Sequence, residues 1–107
     1  MSKYLIKASY SPERMKGVMA KGGTARVDAI EKLVSGVGGS MESFYFAFGS
    51  DDVFIVIDAP SHEAMAAVAG TVTSTGVLSS YETVVLLSAE QLDAASNLEV
   101  TYAPPGS

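Results

Sequence analysis

Val53-Phe54-Ile55-Val56-Ile57-Asp58 decides the fold. An extended chain sends successive side chains to opposite faces, so this uninterrupted run of large hydrophobes places apolar groups on both. A strand of that kind belongs to a sheet covered on both sides. Residues 41–48 (Met-Glu-Ser-Phe-Tyr-Phe-Ala-Phe) and 84–87 (Val-Val-Leu-Leu) carry the same message. The chain offers two long helical segments and a short one, and in a protein of this size they cover one face. The other face calls for a second copy of the same chain.

Working outward, residues 40–48 read as a strand that Gly49-Ser50-Asp51-Asp52 turns back into residues 53–58, forming a hairpin. Residues 3–10 read as the first strand. Ser11-Pro12-Glu13 then starts a helix, because a serine oxygen caps free backbone N–H groups and proline tolerates the first helical position. Gly22-Gly23 interrupts it, and Thr24 is expected to cap a second segment running to about Ser35. Val27, Ile30, Leu33, Val34 and Val37 there follow the three-four spacing of an amphipathic helix. Gly36, Gly38 and Gly39 end it. Pro60-Ser61 opens the next helix, with Met65, Val68, Ala69 and Val72 as its apolar stripe, and Thr73-Ser74-Thr75-Gly76 stops it before a fourth strand over 77–87. Ser88-Ala89-Glu90-Gln91 has the spacing of a capping box for a short last helix through about Ala95.

The order β-α-β-β-α-β, followed by a short helix, is that of an α+β, ferredoxin-like sandwich. Right-handed crossovers place both main helices on one face of a four-stranded antiparallel sheet. The bare face, if lined by the hydrophobes above, would rival or exceed the ~300–600 Å² patch that typical monomers expose. Two such sheets packed face to face, a dimeric α/β barrel, remove the problem. Residues 1–97 are expected to form a single domain and residues 98–107 an extended tail.

Composition narrows the function classes. A chain of 107 residues holds one core, and 48% hydrophobic against 18% charged residues argues against disorder. A formal net charge of −5 argues against a nucleic-acid partner. The cations, Lys3, Lys7, Arg14, Lys16, Lys21, Arg26 and Lys32, are scattered. Cysteine is absent, so thiolate chemistry and disulfides are not invoked. The first residues run directly into a strand with no apolar signal-peptide core, and residues 64–72 are too short to cross a bilayer. A cytoplasmic protein with no membrane partner is the expectation.

Several stretches stand out together: the opening Lys3-Tyr4-Leu5-Ile6-Lys7-Ala8-Ser9-Tyr10 and the helix Arg26-Val27-Asp28-Ala29-Ile30-Glu31-Lys32-Leu33. Gly38-Gly39 before Met41-Glu42-Ser43-Phe44-Tyr45-Phe46 joins them, as does the hairpin with Phe48-Gly49 and Asp52 and its sequel through Asp58-Ala59-Pro60. In order and spacing they resemble the GYD-domain family of small bacterial proteins, over about residues 3–95. One position departs: Asp51 stands where the family's Gly-any-Tyr-Asp turn has its tyrosine. The resemblance implies a ferredoxin-like fold, commonly dimeric, and no particular reaction.

Candidate site residues are few. Lys21-Gly22-Gly23-Thr24-Ala25-Arg26 combines flexible glycines, a fresh helix start and two cations, which suits an anion site; a glycine-punctuated kink explains the same residues. Tyr10 and Tyr45 could bring hydroxyls to the rim of a cavity between sheet and helices, although tyrosines of this kind are also ordinary core residues. Lys7 is expected to face Asp58 across neighbouring strands. His62, the single histidine, lies in the first turn of a helix, where exposure is expected, and one histidine without cysteine supplies no metal site. Asp51-Asp52 suits turn chemistry. No cofactor fingerprint or nucleophile motif is present. The expectation is a homodimer binding a small apolar or aromatic metabolite through Tyr10, Tyr45, Lys7 and Arg26, with Gly22, Gly23 and Thr24 as anion-site candidates. A cofactor-independent isomerase or monooxygenase, and a structural or regulatory interaction module, are the alternatives.

Overall fold

The computed structural model describes residues 1–106. Its elements are β1 (Ser2–Tyr10), α1 (Pro12–Lys21), α2 (Gly23–Gly36), β2 (Ser40–Phe46), β3 (Val53–Ala59), α3 (His62–Thr73), β4 (Leu78–Leu86) and α4 (Ala89–Ser96). All strand pairs are antiparallel and the sheet order is β2-β3-β1-β4. This is the ferredoxin-like α+β arrangement.

Local chemistry sets the boundaries. Ser11, Ser61 and Ser88 accept backbone N–H bonds from Arg14, Ala64 and Gln91. The Ser88 amide also donates to Gln91 Oε1 at 2.8 Å, completing the capping box. Two boundaries differ from the sequence reading by more than one residue. The second strand stops at Phe46, because the Ala47 amide turns to donate to the Asp52 carbonyl at 2.8 Å, and Phe48 stands fully exposed in the loop. Thr24 is no cap: α2 begins at Gly23, and Gly22 precedes it at φ +94°, a conformation L side chains rarely adopt. The Gly22 amide donates to the Val18 carbonyl at 2.8 Å and closes α1, so one glycine ends one helix and releases the next.

The core forms between the sheet and the helices. Tyr4, Ile6, Ala8 and Tyr10 of β1 alternate inward beside Val53, Ile55, Ile57 and Ala59 of β3. Ile30 and Val34 of α2 and Met65 and Val68 of α3 close over them. On the opposite face Leu5, Phe54, Val56 and Val84 are half-buried and Tyr45 is exposed. On β1 charges flank Leu5. Lys3 lies 3.1 Å from both Glu42 and Asp58, and Lys7 lies 3.4 Å from Glu82 and 3.8 Å from Asp51. The expected Lys7–Asp58 pair is therefore corrected: the register sets Asp58 opposite Lys3 and Phe54 opposite Lys7.

The last segment leaves this body. No residue of α4 is buried, and Leu92, Leu98, Val100 and Tyr102 are exposed. The radius of gyration is accordingly 17.0 Å, against about 13 Å for a compact chain of this length. Position 107 of the expected tail lies outside the described residues. Among the described residues, no helix is long and apolar enough to cross a membrane.

Two glycines separate close packing from mere permissiveness. A Cβ at Gly39 would stand 2.7 Å from the Asp58 carbonyl oxygen, whereas one at Gly70, inside α3, meets open space. Gly39→Ala should lower the free energy of unfolding by about 1–3 kcal/mol through overpacking. Gly70→Ala should raise it by about 0.4–1 kcal/mol. Urea denaturation of both variants checks the pair of signs.

Titration gives a second test. Hydrogen bonds to Asp58 and then Glu42 hold Lys3 above its ordinary 10.5, and burial holds Tyr81 above its ordinary 10.0 despite a hydrogen bond from Thr83. In both cases the folded state keeps a proton that the unfolded chain releases. Their stabilisation is full below the unfolded values and is lost as pH rises through the folded ones. Denaturation midpoints should begin to fall as pH rises past about 10 and go on falling through the raised folded values, less steeply in Lys3→Met and Tyr81→Phe.

Candidate functional site

Tyr10 ends β1 with its ring on the helix side, because the strand's alternation turns it inward with Tyr4, Ile6 and Ala8. The end of β1 is pinned by Asp52, whose Oδ2 accepts the Tyr10 amide at 2.9 Å while its own amide donates to the Ala8 carbonyl at 2.9 Å. After α1, the first part of α2 passes above this ring. Arg26 there donates from Nε to the Tyr10 hydroxyl at 3.0 Å, with its guanidinium 5.3 Å from the ring centroid. Tyr10 is 5% exposed, so its hydroxyl has left water for an ionic donor.

Beneath this pair lies an apolar void of about 30 Å³, bounded by Ile6, Ile30, Ile55, Val68 and Tyr81. That is room for about one water, not for a metabolite. On the outer side, α2 and α3 diverge into an open cleft of about 400 Å³. Ile30, Leu33 and Val72 floor it, Thr71 edges it, and Arg14 and Arg26 overlook it. Its chemistry is an apolar surface with cationic donors on one side.

The remaining candidates are dispersed. Tyr45 pairs with Phe54 and projects from the opposite face of the sheet, 69% exposed, so it shares no cavity with Tyr10. Lys7 lies on that same far face. Gly22, Gly23 and Thr24 stand together at the α1–α2 junction, but Arg26 turns to Tyr10 rather than toward them. A Cβ at Gly23 would come 2.9 Å from the Phe46 ring, so this glycine serves close packing. Among the described residues no group of His, Cys, Asp and Glu is arranged to hold a metal ion.

A second constellation was not legible. Tyr4, 1% exposed at the start of β1, shares a 2.6 Å hydrogen bond with Nδ1 of the exposed His62, the rings meeting edge-on at 5.7 Å. They border a groove of about 380 Å³ between α3 and β4, lined also by Met65, Ala66, Thr83 and Val85. Neither spacing nor motif joins positions 4 and 62; only the antiparallel pairing of β1 with β3 brings the start of α3 beside Tyr4. Arg14 likewise carried no signal beyond its charge.

Tyr10→Phe leaves Arg26 Nε without its acceptor and should cost about 1 kcal/mol of stability, with the fold intact by circular dichroism. A guanidinium NMR resonance of Arg26 that shifts in this variant would show the lost contact directly.

The sequence model of the GYD domain matches residues 4–96. No curated protein matches the chain.

Proposed function

The chain belongs to the GYD-domain family, and from that premise we propose a cytoplasmic homodimer that binds a small, largely apolar metabolite in each protomer. The bare sheet face carries this reading. Val56, Leu5 and Val84 form a row between Lys3 and Lys7, Phe54 and Tyr45 extend it alongside Lys7, and among the described residues the helices bury the other face. Fully burying one such side chain contributes about 1.5–3 kcal/mol, and all of these but Tyr45 are already half-buried, so several must act together. A second sheet supplies that cover at once, by a two-fold operator that sets the same patch against itself. The exposed arm after β4, with Leu92, Leu98, Val100 and Tyr102, adds apolar surface that the chain itself leaves uncovered.

With the sheets paired, ligand access falls to the helix side. The cleft between α2 and α3 lies away from the pairing face and has a volume of about 400 Å³, within the ~300–1,000 Å³ usual for small-molecule sites. The void beneath Tyr10 is too small to take this role.

A cofactor-independent isomerase is a second reading, favoured by one observation. The Tyr4–His62 hydrogen bond borders a groove with apolar walls, and a neutral imidazole oriented by a hydroxyl can act as a general base.

Native mass spectrometry and sedimentation test the dimer. The wild type should be dimeric at micromolar concentration. Tyr45→Glu, at a position already exposed, should shift it toward monomer with an unchanged circular dichroism spectrum. A wild type that stays monomeric overturns the dimer.

A further inference from the structure

Arg14 and Arg26 are the only arginines in the chain, and both overlook the same cleft. They come from different helices, α1 and α2, so the fold rather than local sequence brings them together. Among the described residues neither forms an ion pair, although acidic residues outnumber basic ones and every ion pair is made by Lys3 or Lys7. No Asp or Glu lines the cleft. Arg26 uses Nε on Tyr10, which leaves its two Nη groups as a forked donor whose position is already set. Isoleucine, leucine and valine form the floor and Thr71 lies at the edge, while the Thr75 hydroxyl is engaged by the Val72 carbonyl and the Val77 amide.

We infer that the α2–α3 cleft is a receptor for a small organic carboxylate with an apolar body. The carboxylate bonds to the free nitrogens of Arg26 and Arg14, and the body lies on Ile30, Leu33 and Val72. This rests on the small-molecule reading above and specifies the ligand's chemical class. Forked donors match carboxylate and phosphate alike, so the backbone around them decides between the two. Phosphate sites draw on convergent backbone amides, and the one glycine-rich helix start near these arginines, Gly22-Gly23, lies outside the cleft lining. The anion is therefore a carboxylate in preference to a phosphate ester. Tyr10 is a positioning residue: it holds Arg26 without reaching the ligand.

The test uses probes that share one apolar body: 2-naphthoate, its neutral amide 2-naphthamide and 2-naphthyl phosphate, each titrated into the full-length protein by ¹H–¹⁵N NMR. Naphthoate should shift the amides of Ile30, Leu33 and Val72 and bind about tenfold or more tightly than the amide, the worth of one charge-assisted pair. Arg14→Gln, at an exposed position, should weaken naphthoate about fivefold or more and leave naphthamide unchanged. Arg26→Lys should do the same, and Tyr10→Phe should weaken naphthoate less than either. Equal binding of naphthoate and naphthamide overturns the carboxylate assignment and leaves the small-molecule reading standing. Preference for the phosphate ester overturns the choice of anion. Absence of cleft shifts with all three probes overturns both the assignment and the reading it rests on.

Discussion

Every strand in this molecule has two sides, while the helices cover only one of them. That imbalance organises the rest. Val53, Ile55 and Ile57 go under the helices, and Phe54 and Val56, their immediate neighbours, go the other way. A one-residue slip would exchange the two sets, leaving Asp58 under the helices and the present core outside. Burial of the core holds the register, and ion pairs on the outer face agree with it, where Lys3 meets Asp58 and Lys7 meets Glu82. These pairs are part-exposed and individually weak.

Backbone devices at the edges then place the helices. Gly22 ends α1 and frees α2, Gly23 lets α2 approach Phe46, and Gly39 lets the chain leave α2 against the Asp58 carbonyl. Asp52 ties the β2–β3 turn to the end of β1. Together they set where Arg26 passes over Tyr10 and hence where the cleft opens. Asp51, at the position where the family turn carries tyrosine, faces Lys7 on the other side of the sheet. In this chain that position belongs to the electrostatics of the outer sheet face, remote from the cleft.

The strongest polar features are both tyrosines turned inward from β1. Tyr4 and Tyr10 lie six residues apart on one face, and each hydroxyl meets the side chain of a different helix, His62 of α3 and Arg26 of α2. A tyrosine in an apolar core needs such a partner. Each pairing therefore serves the core and also presents a polar group at a surface groove. The one beneath Arg26 lends order to a cation, and the other orients a titratable ring.

Much of this was legible in advance. Periodicity two in the strands and three-four in α2, together with serine caps, dictates the element order, because these are local consequences of side-chain direction and hydrogen bonding. Glycine spacing located the α1–α2 break but not its cap, since Thr24 and Gly22 satisfy local rules equally well until Phe46 packs against Gly23. The sequence also showed that both faces of the sheet carry apolar residues. It named Tyr10 and Arg26 separately. Their meeting, the sharing of a cleft by Arg14 and Arg26, the Tyr4–His62 bond and the banishment of Tyr45 to the far face came only with tertiary structure. Side-chain pattern along a chain specifies which face a residue takes; which other residue it meets there depends on crossovers and helix placement, and those are set by packing between distant segments.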